Sequence, residues 1–348
     1  MKNIKRKAAI LVGIVFLVSG LLKLADPVGT MLIVTEYCKF LHIGFLQPSA
    51  KLIGIVLSLI ECIIGVGLVT GVVRRIYAMA TYLMLAFFTL VTFILWLRNP
   101  VMDCGCFGQA IHLTHAQSFL KNLLLLALSV FAFTPLRSLG EPKPKKYVAF
   151  SLGLACILMA CLYSNLHLPI VEFTDFTTGT QLYASLDDDA SDEALASSAM
   201  LSFRSAEGEY PDRLAAVGKV AVFSVYKPSE ADWTTLQAQV QKAEAAGALP
   251  LVLVASYPAQ MQEMGVPATL PLYFADYKTL ITLNRSNGGG TYFSDGELIY
   301  KWKAGDLPES FAADLADDPL IVSSHHLVRR RLTAQGFCVA LGAILLLM

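Results

Sequence analysis

The residues best suited to chemistry are two cysteines one residue apart, Cys104 and Cys106, which lie between two long apolar stretches. As a redox pair, they would cycle between a dithiol and a disulfide in a small, strained ring, and strained disulfides exchange readily. As a metal site, they would join His112 and His115 in a ligand set that suits zinc or copper. In a third interpretation, they form a structural disulfide or remain ordinary loop thiols. The spacing favours the redox pair, while the metal site and the structural disulfide stay open.

The charges near such a pair matter, because the thiolate is the reactive form of cysteine. Asp103 precedes the pair directly and would raise the pKa of the thiols. Arg98 is the nearest cation along the chain and would oppose that effect.

Five further cysteines are spread along the chain. Cys38 lies in another segment between apolar stretches, where it is either a stray interfacial residue or the third thiol of a relay. Cys62, Cys156 and Cys161 fall within apolar stretches, where cysteine packs as a small apolar residue. The stretch 162–337 contains no cysteine.

One carboxylic acid, Glu61, lies near the centre of an apolar stretch. An ionised carboxylate in a membrane is costly. Glu61 is therefore either a neutral, hydrogen-bonded residue that locks helix packing or a proton acceptor at a functional site. Lys23, Asp26 and Arg98 stand near the ends of apolar stretches, where side chains can reach the membrane surface.

The composition is that of a membrane protein. Of 348 residues, 55% are hydrophobic and 16% are charged, against roughly 25% charged residues in soluble domains. The net charge of +0 argues against nucleic-acid binding. Five stretches are apolar enough, and close enough to the required length of about 20 residues, to span a bilayer. They are 8–25, 51–72, 76–97, 118–136 and 147–166.

Basic residues predict the orientation of these spans. The N-terminus, Arg74-Arg75 and the loop 137–146 are rich in lysine or arginine, so we expect them on the cytoplasmic side. The loops 26–50 and 98–117 then face outward, with Cys38, Cys104 and Cys106. The sequence predicts a bacterial inner-membrane protein whose residues from about 167 onward lie in the oxidising periplasm.

The stretch 167–325 reads as a soluble α/β domain. Lys219–Tyr226 and Leu249–Ser256 predict buried strands, and Ser229–Ala246 between them predicts an amphipathic helix with Ser229 as its N-cap. Gly290–Ser294 and Glu297–Lys303 predict a hairpin across Asp295-Gly296. We expect the closing helix at 306–316 and a solvated acidic loop at 187–193.

The order of these elements resembles that of a thioredoxin-like fold. The resemblance places the family's thiol pair just after the first buried strand, but this chain reads YKPSE at 226–230, without cysteine. Gly290 stands where the family has a cis-proline. The resemblance therefore implies a binding or docking module without its own thiol chemistry.

The first 140 residues resemble the DoxX/MauE family of redox-associated membrane proteins. The specific part of the resemblance is the run DCGCFG at 103–108, supported by Ser19-Gly20, the EXXXGXG pattern from Glu61, and Lys121-Asn122. The family implies a four-helix bundle. It is linked to quinone-coupled sulfur oxidation and to disulfide maturation of methylamine dehydrogenase, so a quinone becomes a possible cofactor, with Glu61 as the proton acceptor beside it.

Together these features predict a membrane all-α helical bundle, of four helices plus a tether helix, with a soluble α/β thioredoxin-like domain. The predicted parts are 1–140 (bundle), 141–166 (cytoplasmic loop and fifth helix), 167–325 (periplasmic domain) and 326–348. The last is a basic stretch with an apolar run from Leu332, either a marginal sixth helix or an interfacial one.

For the function, the sequence predicts thiol–disulfide or quinone-linked chemistry at Cys104 and Cys106, with Cys38 and Glu61 as helpers and a periplasmic client bound by the soluble domain. The rival hypothesis is a non-enzymatic scaffold or assembly factor in which the disulfide is structural.

Overall fold

In a computed structural model, the chain divides into two compact units. A helical unit comprises Met1–Phe173 and Thr333–Met348, and an α/β unit comprises Thr174–Leu332. The structure describes residues 2–100, 102, 104–136, 144–183, 198–264, 266–267 and 269–346. Asp103, the acidic stretch 187–193 and residues 137–143 of the predicted basic loop lie outside the described residues.

The helical unit begins with six helices and one short strand among its described residues. They are α1 (Lys2–Ala25), α2 (Pro27–Phe40), α3 (Ala50–Thr70), α4 (Arg74–Arg98), β1 (Cys106–Gln109), α5 (His115–Phe133) and α6 (Lys145–Leu166). Of these helices, all except α2 are long and apolar enough to cross a membrane. They coincide with the five predicted spans, which confirms the predicted membrane helical bundle.

The prediction of a loop over 26–50 is wrong. Most of this segment is helical, because Pro27 suits a first turn and Asp26 caps α2 by accepting a hydrogen bond from Gly29 N at 2.8 Å. At 14 residues, α2 is too short to be recognised as a span. Asp26 is also buried rather than extended towards the membrane surface. As a result, Tyr37 and Cys38 are held on a helix.

Helices α1 and α3 approach each other closely because small residues line their contact. A Cβ atom on Gly20 would lie 2.6 Å from Cys62 Sγ and 2.7 Å from Ser58 O. A Cβ atom on Gly65 would lie 2.7 Å from Leu17 N. Such glycines allow two backbones to come together in a membrane, where packing rather than hydrophobicity drives helix association. The close approach places Ser19 of α1 against Glu61 of α3.

The basic N-terminus and the α3–α4 connection meet at one end of the helical unit. The Arg6 guanidinium donates hydrogen bonds to Leu68 O, at 2.7 Å, and to Val69 O, in the last turn of α3. These carbonyls have no partner within their own helix. Arg74 Nε donates to Gly71 O in the same connection. Arg6 and Arg74, two of the cations used for the predicted orientation, therefore lie at the same end.

The C-terminal region forms one continuous helix, α11 (Pro319–Leu346), which begins in the α/β unit and ends in the helical unit. Its final turns bring Phe337 and Leu341 into the core formed with Leu17 of α1, Val66 of α3 and Cys156 of α6. These contacts explain why a run that is short for a membrane span is still helical.

The α/β unit is built on a mixed sheet of seven strands in the order β3-β2-β8-β7-β4-β5-β6. The strands are β2 (Gln181–Leu182), β3 (Ser198–Ala199), β4 (Lys219–Val225), β5 (Leu249–Val254), β6 (Leu272–Phe274), β7 (Gly289–Ser294) and β8 (Glu297–Trp302). The strands β4, β5 and β6 are parallel, whereas β7 is antiparallel to both of its neighbours. The predicted soluble α/β domain is confirmed, including its β4–β5 crossover and its hairpin.

Among the described residues of this unit, four short α-helices flank the sheet: α7 (Trp233–Ala245), α8 (Pro258–Glu263), α9 (Tyr277–Leu283) and α10 (Phe311–Ala316). Helix α7 begins later than predicted, because Asp232 rather than Ser229 is its N-cap and accepts hydrogen bonds from Thr234 N and Thr235 N. The α/β unit has a hydrophobic core on each face of the sheet, and β4 contributes to both. Phe223 and Val225 lie in one core, and Val220 and Val222 lie in the other.

Glycine is required at position 290, at the start of the hairpin, for a visible steric reason. A Cβ atom on Gly290 would lie 2.1 Å from the indole of Trp302, its cross-strand partner on β8. The indole also donates a hydrogen bond to Gln239 Oε1 at 3.1 Å. Trp302 therefore occupies the space that any larger residue at 290 would need.

Candidate functional site

The Cys-Gly-Cys segment folds back against the helices instead of projecting from the end of the bundle. Strand β1 packs on α1 and α2. Gly105 has a φ of +65°, and a Cβ atom there would lie 2.4 Å from Ile33 Cγ2 of α2. Glycine is required for both reasons, because it alone tolerates that φ and that approach. The turn at Gly105 directs both cysteine side chains to the same place.

The two cysteines form a close pair of thiols. Cys104 Sγ and Cys106 Sγ are 2.9 Å apart and share a hydrogen bond. Cys104 is only 5% exposed, whereas Cys106 is partly exposed. A small movement would bring the sulfurs to the bonding distance of about 2.05 Å, so the geometry suits a pair that opens and closes.

Two side-chain hydroxyls hold the backbone of this pair, one for each cysteine. Tyr37 of α2 donates from its hydroxyl to Cys104 O at 2.6 Å. Ser19 of α1 lies 2.7 Å from Cys106 O. Ser19 stands more than one turn before the end of α1 at Ala25, so the loop reaches well past the end of that helix. The pair is thereby fixed from two helices at once.

Glu61 lies directly behind Ser19 and is paired with a lysine. Its Oε1 accepts a hydrogen bond from Lys23 Nζ at 2.6 Å, and its Oε2 is 2.9 Å from Ser19 Oγ. The side chains of Lys23 and Glu61 are 11% and 2% exposed. The prediction that Lys23 extends to the membrane surface is wrong, because the ion pair and the nearby Phe88 ring, 5.6 Å from Nζ, hold it inside. Glu61 is therefore held by two hydrogen-bonding partners, and its role as a packing residue or as a proton acceptor stays a prediction.

All four residues predicted to carry the chemistry line one cavity of about 230 Å³. Cys104, Cys106 and Glu61 lie on its wall, and the buried Cys38 of α2 completes the set. The rest of the lining is mainly apolar and comes from α2, α3 and α4. The sequence placed Cys38 and the Cys-Gly-Cys segment in two separate outer loops, and the structure brings them to the same cavity.

The hydrogen bond between the two thiols distinguishes them electrostatically. Donation from Cys104 lowers the pKa of Cys106 to about 5, with Lys121 and Lys23 adding smaller effects against the cost of burial. The same contact raises the pKa of Cys104. Sequence proximity suggests Arg98 as the helpful cation, but Arg98 is exposed on α4 and the cations that act are Lys23 and Lys121. Cys106 is therefore the sulfur that carries negative charge.

The hypothesis of a metal site finds no support in the arrangement of the described residues. Among them, no three His, Cys, Asp or Glu side chains come together as metal ligands would. His112 is exposed, and the ring of His115 is bound through Nε2 to Pro100 O at 3.0 Å. The spacing along the chain suggested a ligand set that the fold does not assemble.

Further residues take on roles that sequence reasoning did not assign. The contacts of Tyr37 depend on α2, a segment predicted to be a loop. The Lys121 ammonium lies over the Phe107 ring, 4.7 Å from its centroid, although the only signal for Lys121 was its place in a family pattern. Cys62, Cys156 and Cys161 are buried in the core with Leu17 and Val66, as expected for packing residues.

Most of the helical unit matches a known protein family. Residues 1–135 match the family model described as methylamine utilisation protein MauE. A curated relative, Protein TlpB of Flavobacterium psychrophilum, is 27% identical over 192 residues. The match covers 54% of this chain and 50% of the relative, so the chain spans about half the length of that protein. No solved structure matches the chain significantly. The first 135 residues, which include the whole cavity lining, are thus similar to MauE proteins.

Proposed function

We propose that this protein performs thiol–disulfide exchange in a bacterial inner membrane, with Cys104 and Cys106 as the reacting pair. The observation that carries the proposal is the hydrogen-bonded thiol pair, 2.9 Å between sulfurs, on the wall of a largely apolar cavity. The MauE match over residues 1–135 supports this proposal, because the resemblance of the first 140 residues to that family implies a redox role.

The two sulfurs have different roles in this reaction. In the oxidised protein, a thiolate of a client attacks the exposed sulfur, Cys106, forms a mixed disulfide and displaces Cys104 as the leaving thiolate. The client's second thiolate then attacks its own sulfur in that mixed disulfide, which releases the client as a disulfide and leaves Cys104 and Cys106 reduced. Two electrons pass from the client to the pair. Cys106 is the exchange site, because Cys104 is buried.

The cavity suits a small apolar redox partner, and we propose a quinone. At about 230 Å³ it is slightly below the roughly 300–1,000 Å³ of ligand pockets, which fits a ring headgroup better than a long molecule. Lys23 and Tyr37 are among the few polar side chains on a mainly apolar wall. A bound quinone would accept the two electrons that re-form the Cys104–Cys106 disulfide, and the Lys23–Glu61 pair would hold a proton beside it.

The α/β unit is proposed as a periplasmic thioredoxin-like module that binds the client. The strand order β8-β7-β4-β5, with β7 antiparallel to its neighbours, supports that likeness. The segment after β4, where thioredoxin-like proteins carry their thiols, contains no cysteine in this chain and is held by backbone hydrogen bonds to a side chain. Lys227 N donates to Asn287 Oδ1 and Asn287 Nδ2 donates to Lys227 O, both at 2.9 Å.

The test is disulfide trapping in intact cells with the full-length protein. In Cys104→Ser, the free thiolate of Cys106 can attack the disulfide of an oxidised client, displace one client sulfur as a thiolate and form a mixed disulfide. This mixed disulfide should accumulate, because Cys104 is not there to attack it and release the client. Cys106→Ser is the matched control and should trap much less, because Cys104 is buried. The double serine variant should show no exchange, which also tests whether the α/β unit contributes any. A pair that stays oxidised through a mild reductant pulse, or unchanged activity in the double variant, would instead favour the structural role of a scaffold or assembly factor.

The proposed orientation has its own test. In a variant without native cysteines, a single cysteine placed at position 230 should react with a membrane-impermeant reagent in intact cells, and one placed at position 74 should not. Labelling at 74 would reverse the orientation and place the thiol pair on the reducing side.

A further inference from the structure

Ser19 stands between two hydrogen-bond acceptors but carries only one hydrogen. Its Oγ is 2.7 Å from Cys106 O and 2.9 Å from Glu61 Oε2. A hydroxyl donates a single hydrogen bond and accepts others. Both short contacts are satisfied together only when Glu61 is protonated, so that the acid donates to Ser19 and Ser19 donates to Cys106 O.

Ionisation of Glu61 would redirect that single hydrogen. A carboxylate accepts hydrogen bonds about twice as strongly as a neutral carbonyl does. Ser19 would then donate to Glu61 Oε2, and Cys106 O would lose its donor. The described hydrogen bonds of Lys23 Nζ go to Glu61 Oε1 at 2.6 Å and Ser19 Oγ at 3.2 Å, and Cys106 O is not among its described acceptors.

The second hydroxyl that holds the loop, that of Tyr37, provides an internal contrast. Tyr37 donates to Cys104 O at 2.6 Å, and no described hydrogen bond joins its hydroxyl to Glu61 or Ser19. The Cys104 half of the loop is therefore held independently of Glu61, whereas the Cys106 half is not.

We propose that Ser19 is a positioning residue that couples the protonation of Glu61 to the placement of Cys106. A proton on Glu61 fixes the Cys106 peptide against α1, and its loss frees that peptide while Tyr37 still holds Cys104. The relation between the two sulfurs thus changes with the charge of a residue that touches neither of them. This inference rests on the proposed role of Cys106 as the exchanging sulfur.

The ionisable groups around Glu61 come from several elements. The titratable groups that line the same cavity are Lys23 of α1, Tyr37 and Cys38 of α2, Lys121 of α5, and Cys104 and Cys106 of the loop. Next to Glu61 on α3, Cys62 also faces Cys161 of α6. The α4 residues on the wall, Phe87, Phe88, Val91 and Thr92, carry no titratable group. Lys23 is the group in direct contact with Glu61. The protonated and ionised states of Glu61 therefore differ in the net charge of the Lys23–Glu61 pair.

The experiment measures the alkylation rate of reduced Cys106 as a function of pH in the full-length protein in membranes. Mass spectrometry of the peptide that contains both cysteines identifies the sulfur modified first. The wild type should show two transitions, one for ionisation of Cys106 and a second for Glu61. The second should change the rate by about fivefold, the factor expected from gain or loss of one ordinary hydrogen bond.

Three variants separate the coupling from a merely structural role. Glu61→Gln cannot ionise, and its amide can donate to Ser19 permanently, so the second transition should vanish. Ser19→Ala should also abolish it, and Ser19→Thr, which restores the hydroxyl, should bring it back. Tyr37→Phe, added as a control, removes the hydroxyl that holds Cys104 and should keep both transitions while changing the rate at every pH.

The inference is overturned if the wild type shows only the Cys106 transition, or if the second transition persists in Ser19→Ala. If Ser19→Ala does not fold, Glu61→Gln and Ser19→Thr still decide the matter, since a second transition in Glu61→Gln contradicts the coupling. The readout needs no client and no electron acceptor. Failure of disulfide trapping with an intact second transition would therefore reject the proposed function and leave the coupling standing.

Discussion

The described ion pairs of the two units differ in their burial. In the helical unit, Lys23, Glu61 and Ser19 form a buried charged network beside a cavity that also exposes two thiols. In the α/β unit, the ion pair Lys227–Glu230 lies in solvent with side chains 41% and 64% exposed. A buried charge is retained at a cost, whereas an exposed pair costs and contributes little. This contrast indicates that the helical unit holds its charges for a purpose other than stability.

The largest expected effect comes from breaking the buried pair. Lys23→Met should leave Glu61 as an unpaired buried acid and destabilise the helical unit by about 3–5 kcal/mol. The double variant Lys23→Met/Glu61→Leu should recover most of that loss, because a well-packed apolar pair avoids the uncompensated charge. The stability of both variants is measured by unfolding the purified protein in detergent in the presence of a reagent that becomes fluorescent when it reacts with newly exposed thiols. Equal stability of the single variant and the wild type would contradict the buried pairing.

The next effect concerns the asymmetry of the thiols. Cys104→Ala removes the donor that stabilises the Cys106 thiolate, so the pKa of Cys106 should rise from about 5 towards its ordinary value, roughly 8.5. Thiolate is present above the pKa, so the pH at which alkylation falls should move upward. At pH 6 the rate should drop about tenfold, because lost thiolate outweighs the greater nucleophilicity of a more basic sulfur. Cys104→Ser keeps a donor and should shift the profile less.

A smaller effect tests the close contact between α1 and α3. Gly20→Ala would force a Cβ atom to within 2.6 Å of Cys62 Sγ and 2.7 Å of Ser58 O. We expect a loss of about 1–3 kcal/mol, typical of overpacking, together with a changed alkylation rate of Cys106, whose carbonyl oxygen is in contact with Ser19. Gly336→Ala in α11 is the matched control, because a Cβ atom there meets nothing within 4 Å. It should be neutral or slightly stabilising, as helix propensity predicts.

The smallest effect should come from the exposed pair of the α/β unit. Lys227→Met removes an ion pair of 3.0 Å in solvent and should change stability by no more than about 1 kcal/mol. Thermal unfolding of the full-length protein checks this value against Lys23→Met under the same conditions. If the two lysine variants lost equal stability, burial would not distinguish the two regions.

Much of the architecture follows from periodicity and composition. Runs of about 20 apolar residues can satisfy their backbone in a bilayer only as helices, so the five spans are predictable. In the α/β unit, β4, β5 and the β7–β8 hairpin are predictable from apolar runs and the Asp295-Gly296 turn. Helix α2 escapes prediction because a 14-residue segment is too short for a span and its apolar residues are only weakly confined to one face, and β6 is only three residues long.

Sequence alone is enough to identify which residue types could do chemistry. Two cysteines one residue apart, a third in a neighbouring segment and an acid within an apolar helix are visible without a structure. The packing of the chain decides that these residues line one cavity, that Lys23 and not Arg98 neutralises the local charge, and that His112 and His115 stay apart from the thiols. Side chains far apart in sequence meet here because glycine contacts bring α1 and α3 together and a positive φ at Gly105 turns the loop inward.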